Sequence, residues 1–248
     1  MLTGISVLLG LFIWRYIAMP GAKSLRSVLA LGLGTVDPRT VIINDRMPKK
    51  GTAAILTFAL IANSPQVIIS LIYFSYNATI TSMLLAREWS SYFTRAKGLR
   101  ISGSTTGAQR NAYFLQLPLR YGVPLLAFSC LLHYLSSQSI FLVTLDDGGF
   151  VTCAYSPIGI FMCMLVSFVL LVFLVILGVQ RLSPMPVVGS CSVAIAASCH
   201  ARPWEDAPWE KRVRWGAFED GEESDGDIGH CGLSSEDVCE PVENYVYA

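Results

Sequence analysis

Residues 158–179 read IGIFMCMLVSFVLLVFLVILGV, and they decide how the rest of the chain is read. No charge interrupts them, and apolar side chains occupy every side of the helix they would form. A helix that is hydrophobic all round belongs in the core of a large protein or in a bilayer. About twenty such residues cross the roughly 30 Å of hydrocarbon in a membrane. The segment 158–180 therefore reads as a transmembrane helix.

Three further apolar runs lie upstream. Tyr121 to Leu145 gives a helix over 121–145, opened by Pro124 in its first turn, where a missing N–H costs nothing. Thr52 to Ala86 gives a helix over 52–86, which at 1.5 Å per residue reaches about 50 Å. That exceeds the hydrocarbon thickness, so this helix should tilt or project at its Arg87 end, where Trp89, Tyr92 and Phe93 supply interfacial aromatics. Leu2 to Ala18 places a first helix over 1–19. It lacks a basic leading segment and carries Arg15 at its far end; a span and a cleaved signal both stay open.

The connections divide by composition. Residues 20–51 form a polar loop with a short amphipathic helix, Leu25 to Leu33, stopped by Gly34 and Asp37-Pro38. Residues 87–120 form a basic loop, 146–157 an acidic one, and 184–200 a short interfacial helix rich in Ala, Ser and Val. Residues 201–248 are an acidic tail in which Val213 to Phe218 and Ile228 to Leu233 fit a small β-hairpin. The fold class expected is all-α integral membrane, with about four transmembrane helices.

Composition agrees with a membrane class: 53% of residues are hydrophobic, 15% are charged, and mean hydropathy is +0.51. The formal charge of zero is a cancellation. Fifteen of the eighteen cations lie up to Arg202 against five acids, and thirteen acids follow. Basic residues favour the cytoplasmic side of span ends. The loop 146–157 has none and is placed outside; the 87–120 loop and the tail are then cytoplasmic, with Cys153 outside and Cys231 inside. The loop 20–51 breaks the rule with six cations. Anionic lipid and the acidic tail are both candidate occupants of the basic loop.

Several strings carry a family likeness: SLRSVLALGLGTVDPRTVI (24–42), IANSPQVIISLIYFSYN (61–77), QRNAYFLQLPLRYGVPLL (109–126), MPVVGSCSVAIAASCH (185–200) and GHCGLSS (229–235). From about residue 25 onward the chain resembles the C-terminal half of a family of large fungal multi-spanning membrane proteins of unknown function. The resemblance implies a membrane location and a truncated copy of a longer protein. It implies no activity.

Asn63, Gln66, Ser70, Tyr73 and Asn77 recur at spacings of three and four, which places them on one helical face. Ser129, His133, Ser136 and Ser137 do the same in the next run, with Gln138 beside them. An unpaired amide in hydrocarbon costs several kcal/mol, so the seam should face other helices. It is read either as interhelical glue or as a solute or proton path. Pro65 frees a carbonyl that these side chains or a water can satisfy. Cys199-His200 and His230-Cys231 offer zinc-type ligands at a spacing that fits no zinc motif, and are read as ordinary polar contacts. Asn77-Ala78-Thr79 is a sequon inside an apolar run, out of reach of glycosylation.

No HExxH, GxSxG or glycine-rich phosphate loop occurs, so no catalytic, cofactor or metal residues are expected, and no nucleic-acid partner. The expected function is a membrane scaffold or interaction subunit, at the plasma membrane, with membrane lipids and other membrane subunits as partners. The alternative is a transporter or channel-like fragment using the seam.

Overall fold

A computed structural model describes Gly10 and residues 31–43, 45–114, 116–145, 149–200, 202–218, 228–242 and 246–247. The first apolar run and most of the amphipathic stretch Leu25 to Leu33 lie outside the described residues. The chain divides into two units, residues 1–78 with 120–177, and residues 79–119 with 178–248.

The fold is mixed α and β, which corrects the all-α expectation. Among the described residues two helices are long and apolar enough to cross a membrane: α1, Gly51–Thr94, and α3, Pro157–Gly178. Between them α2, Leu119–Ser139, holds Arg120, Ser129, His133 and a polar end from Ser136 to Ser139, and is less apolar than either.

The apolar run 121–145 is not one helix. It breaks at Ser139 and continues as strand β5, Ile140–Leu145, which pairs antiparallel with β6, Phe150–Tyr155. The sequence between them, Asp146-Asp147-Gly148-Gly149, carries the turn chemistry of a hairpin, and Gly149 sits at φ +71°. IFLVTL and FVTCAY are rich in β-branched and aromatic residues, which pack well on a pleated surface. The loop expected over 146–157 is therefore largely strand.

In the first unit, a short turn Pro38–Thr40 is capped by Asp37, and it leads into β1, Val41–Ile42. The sheet order is β1-β6-β5, with Val41 opposite Ala154 and Ile42 opposite Cys153. β6 is the central strand and is buried from Val151 to Tyr155. Its Cys153 is fully buried with Ala54, Phe58 and Val151, and its thiol donates to the Phe58 carbonyl at 3.4 Å. The outward placement expected for Cys153 thus does not make it accessible. Tyr155 and Ile160 form a second small core with Leu31, Ile42 and Ile140.

The ends of α2 and α3 approach closely. A Cβ on Gly159 would stand 2.9 Å from Ser139 Oγ and 3.0 Å from its Cα, so only glycine fits there. Further along, Tyr76 on α1 donates its hydroxyl to the Leu170 carbonyl on α3 at 2.8 Å, and the rings of Tyr121 and Phe173 stand 6.5 Å apart.

The second unit is built on the last turns of α1. The expected loop 87–120 begins as helix up to Thr94 and continues as three short strands: β2, Lys97–Gly98, β3, Arg100–Ile101, and β4, Arg110–Asn111. The tail supplies β7, Arg212–Ala217, which lies between β2 and a strand at Cys231–Ser234. Numbered in chain order after the pair member β8, Ile228–Gly229, that last strand is β9. β7 and β9 are antiparallel, with Trp215 opposite Leu233, in the two segments read as a hairpin. Val213, Trp215 and Leu233 bury with Tyr92 and Met185, and Trp89, Phe93 and Leu99 pack around them. Within the span expected as an interfacial helix, the helix α4 covers Ser192–Ser198 alone and touches β9.

Candidate functional site

The polar seam is the first place to look for chemistry, and the structure treats its members differently. Gln66 on α1 and His133 on α2 form a two-point contact. Gln66 Nε2 donates to the His133 backbone carbonyl at 3.1 Å, and Gln66 Oε1 lies 2.5 Å from His133 Nδ1. The amide nitrogen is committed as a donor, so its oxygen can only accept. With that oxygen accepting, His133 Nδ1 is the donor of the pair. Both side chains are half-buried.

Three other seam residues bond carbonyls of their own helices. Asn63 is exposed and its Nδ2 donates to the Ala59 carbonyl at 2.8 Å. The Ser70 hydroxyl returns to the Gln66 carbonyl at 3.0 Å. The carbonyl that Pro65 leaves without an amide partner, that of Ile61, is taken by the Ser64 hydroxyl at 2.9 Å. Neither Asn63 nor Gln66 is needed for it. Tyr73 is half-buried against Phe74, with ring centroids 6.0 Å apart, and Asn77 is half-buried. On α2, Ser136 is buried, Ser129 half-buried, and exposed Ser137 bonds the Tyr134 carbonyl at 2.7 Å. Within the seam, Gln66 and His133 thus pair between helices, while Asn63, Ser70 and Ser137 bond carbonyls of their own helices.

Sequence spacing missed Tyr76, whose hydroxyl makes the contact to α3 already described. It stands three positions after Tyr73 and next to Asn77, which was chosen in its place. Also missed was Ser139, whose hydroxyl bonds the Leu135 carbonyl at 2.7 Å and lies 3.7 Å from Cys163 Sγ.

The second unit holds a denser polar cluster around Glu88. Arg100 Nε donates to Glu88 Oε1 at 2.6 Å and Arg110 Nη2 to the same oxygen at 3.0 Å. Arg100 also donates to the Tyr113 hydroxyl at 2.5 Å and lies over that ring, 3.8 Å from its centroid. Arg110 Nε bonds the Gly98 carbonyl at 2.8 Å. Lys97 Nζ donates to Ser91 Oγ at 2.6 Å. Burial, and then the neighbouring Arg95 and Arg110 charges, hold the Lys97 ammonium below its ordinary pKa. The signal for this cluster was present in the sequence: Glu88 is the one acid between Asp45 and Asp146, in a stretch of six Lys and Arg.

No group of three or more His, Cys, Asp or Glu side chains gathers to hold a metal among the described residues. Cys199, His200, His230 and Cys231 do not assemble into a four-ligand site.

No curated protein and no solved structure matches the chain. A family model described as a domain of unknown function, DUF8419, matches residues 1–247, and the chain belongs to that uncharacterised family.

Proposed function

We propose that this protein is a multi-pass membrane interaction subunit, at the plasma membrane, anchored by α1 and α3 and presenting its second unit to partners in the aqueous phase. The observation that carries this reading is the surface of α1. Its most apolar window is only 6% buried, and Leu60, Val67, Leu71 and Phe74 stand exposed. Soluble proteins rarely leave so large a contiguous apolar face to water, whereas lipid or a second membrane subunit would cover it. The resemblance to the C-terminal half of a fungal multi-spanning family supports the same location. Carbonate extraction followed by protease protection tests it: the chain should stay in the pellet with α1 and α3 protected. A chain released by carbonate would end the reading.

A second reading, a solute or proton path, is favoured by the Gln66–His133 pair, because an ionisable group placed between helices is often functional. His133→Leu separates the two. A scaffold keeps its assembly, whereas a transporter loses its flux.

A further inference from the structure

We propose that Arg95 and Lys97 form a docking site for the phosphate of an anionic membrane lipid, and that the exposed Phe114 of the same unit enters the acyl region. The proposal rests on the membrane reading above and names the chemistry at the aqueous end of α1.

Three observations within the second unit carry it. The first is uncompensated charge. Arg95, Lys97, Arg100 and Arg110 surround a single carboxylate, that of Glu88, and both guanidiniums that touch it share one oxygen. Lys97 feels the repulsion of Arg95, Arg110 and Arg100. Three positive charges are left over. The C-terminal end of α1 carries only about half a negative charge, which does not neutralise them. Among the described residues neither Arg95 nor Lys97 has an ion-pair partner.

The second is preorganisation. Lys97 is half-buried and fixed by Ser91 Oγ, with two N–H donors unused among the described residues. Arg95 follows the last residue of α1 and is exposed. An anion at this point meets one held donor and one exposed one without displacing any carboxylate.

The third is the position of apolar surface. Phe114 is 94% exposed and directly follows Tyr113, whose ring Arg100 covers. An aromatic side chain standing free next to a cationic cluster is the composition of a membrane interface. Thr94 ends α1 eight positions after Ala86, about 12 Å along the axis. The headgroup layer is roughly 5–8 Å deep on each side of the hydrocarbon. A helix that tilts to bury its long apolar run brings its last turn into that layer.

The test reconstitutes the full chain in vesicles of phosphatidylcholine with one-fifth phosphatidylglycerol. The lipid retained is then read by native mass spectrometry after gentle extraction. The wild-type chain should retain phosphatidylglycerol in excess. Arg95→Gln, at an exposed position that leaves folding intact, should cut that excess about fivefold, and Arg95→Gln with Lys97→Gln about 25-fold. Tryptophan fluorescence checks that the second unit is still folded. Phe114→Ser should raise loss of lipid on dilution, and Lys50→Gln, at the other end of α1, should change nothing. Equal retention of both lipids, or an equal loss in Lys50→Gln, would overturn the site. Displacement by 10 mM inorganic phosphate would show a free anion, and not lipid, to be the occupant. Retention that arises only after the acids between Glu219 and Asp227 are neutralised would assign the site to the chain's own tail. Release by carbonate would reject the membrane reading itself, separately from the headgroup site.

Discussion

Replacing Glu88 with alanine should destabilise the second unit while leaving the first one standing. The Glu88 side chain is 20% exposed, and those of Arg100 and Arg110 are 25% and 33% exposed. Removing one partner of a buried ion pair costs about 3–5 kcal/mol, because the remaining charge is left desolvated. Here two guanidiniums lose the same oxygen, but each keeps other acceptors. Arg100 retains the Asn111 carbonyl at 2.8 Å and the Tyr113 hydroxyl, and Arg110 retains the Gly98 carbonyl. Partial exposure screens both. The net cost expected is about 2–3 kcal/mol, below the fully buried range. Four of the five tryptophans, Trp89, Trp204, Trp209 and Trp215, lie in this unit, so their fluorescence during urea unfolding in detergent reports on it. Glu88→Gln, which keeps an acceptor, should lose about half as much. A midpoint shift worth less than about 0.5 kcal/mol in Glu88→Ala, the scale of a solvated surface pair, would refute the reasoning.

Gly159→Ala forces a Cβ against the Ser139 backbone and should cost about 1–3 kcal/mol, read as a lower melting temperature of the full chain. Cys153 should resist a maleimide applied from either side until the protein unfolds, because it is fully buried and its thiol is pushed up by that burial; exposed Cys191 should label at once. Gln66→Leu and His133→Leu in a double-mutant cycle should couple by about 0.5–1.5 kcal/mol, the usual net size of a hydrogen-bonded contact. The side-chain hydrogen bond from Arg39 pulls Asp37 down to about 2. Its folded pKa is depressed, so the contribution is present above the ordinary carboxylate pKa and is lost as pH falls from about 4 to about 2. On an exposed turn it is worth under about 1 kcal/mol. Asp37→Asn should flatten that acid limb in hydrogen exchange at the Pro38–Thr40 turn.

How much of this was legible in the sequence varies by element. Helix α3 was, because no charge or proline competes with its apolar run. The start of α1 was also, but its end ran on from Ala86 to Thr94. Trp89, Tyr92 and Phe93 looked like a membrane-facing belt, yet they turn onto Val213 and Trp215 instead. Strand β5 was hidden because IFLVTL continues the hydrophobicity of α2 without a break, and periodicity cannot separate a short buried strand from a helix end. Only the Asp-Asp-Gly-Gly sequence after it marked the change. The segments of β7 and β9 were visible through the alternation of Val213, Trp215 and Ala217. The partner β2 was not, since two residues, Lys97 and Gly98, carry no strand pattern of their own. In the seam, helical spacing brought Gln66 to a face that meets His133. It could not show that Asn63 and Ser70 would bond their own backbone.

The central place of β7 also bears on how the protein is made. Arg214 donates to the carbonyl of Phe93, a residue 121 positions earlier. At the usual 5–20 residues per second, a ribosome takes roughly 6–24 s to cover that distance. Throughout that interval Trp89, Tyr92 and Phe93 have left the tunnel without the strand that will cover them. A nascent chain in this state offers an uncovered aromatic stripe, the kind of segment a chaperone would hold. A message ending before codon 212 would leave that stripe permanently bare, and quality control would meet the product as an orphan.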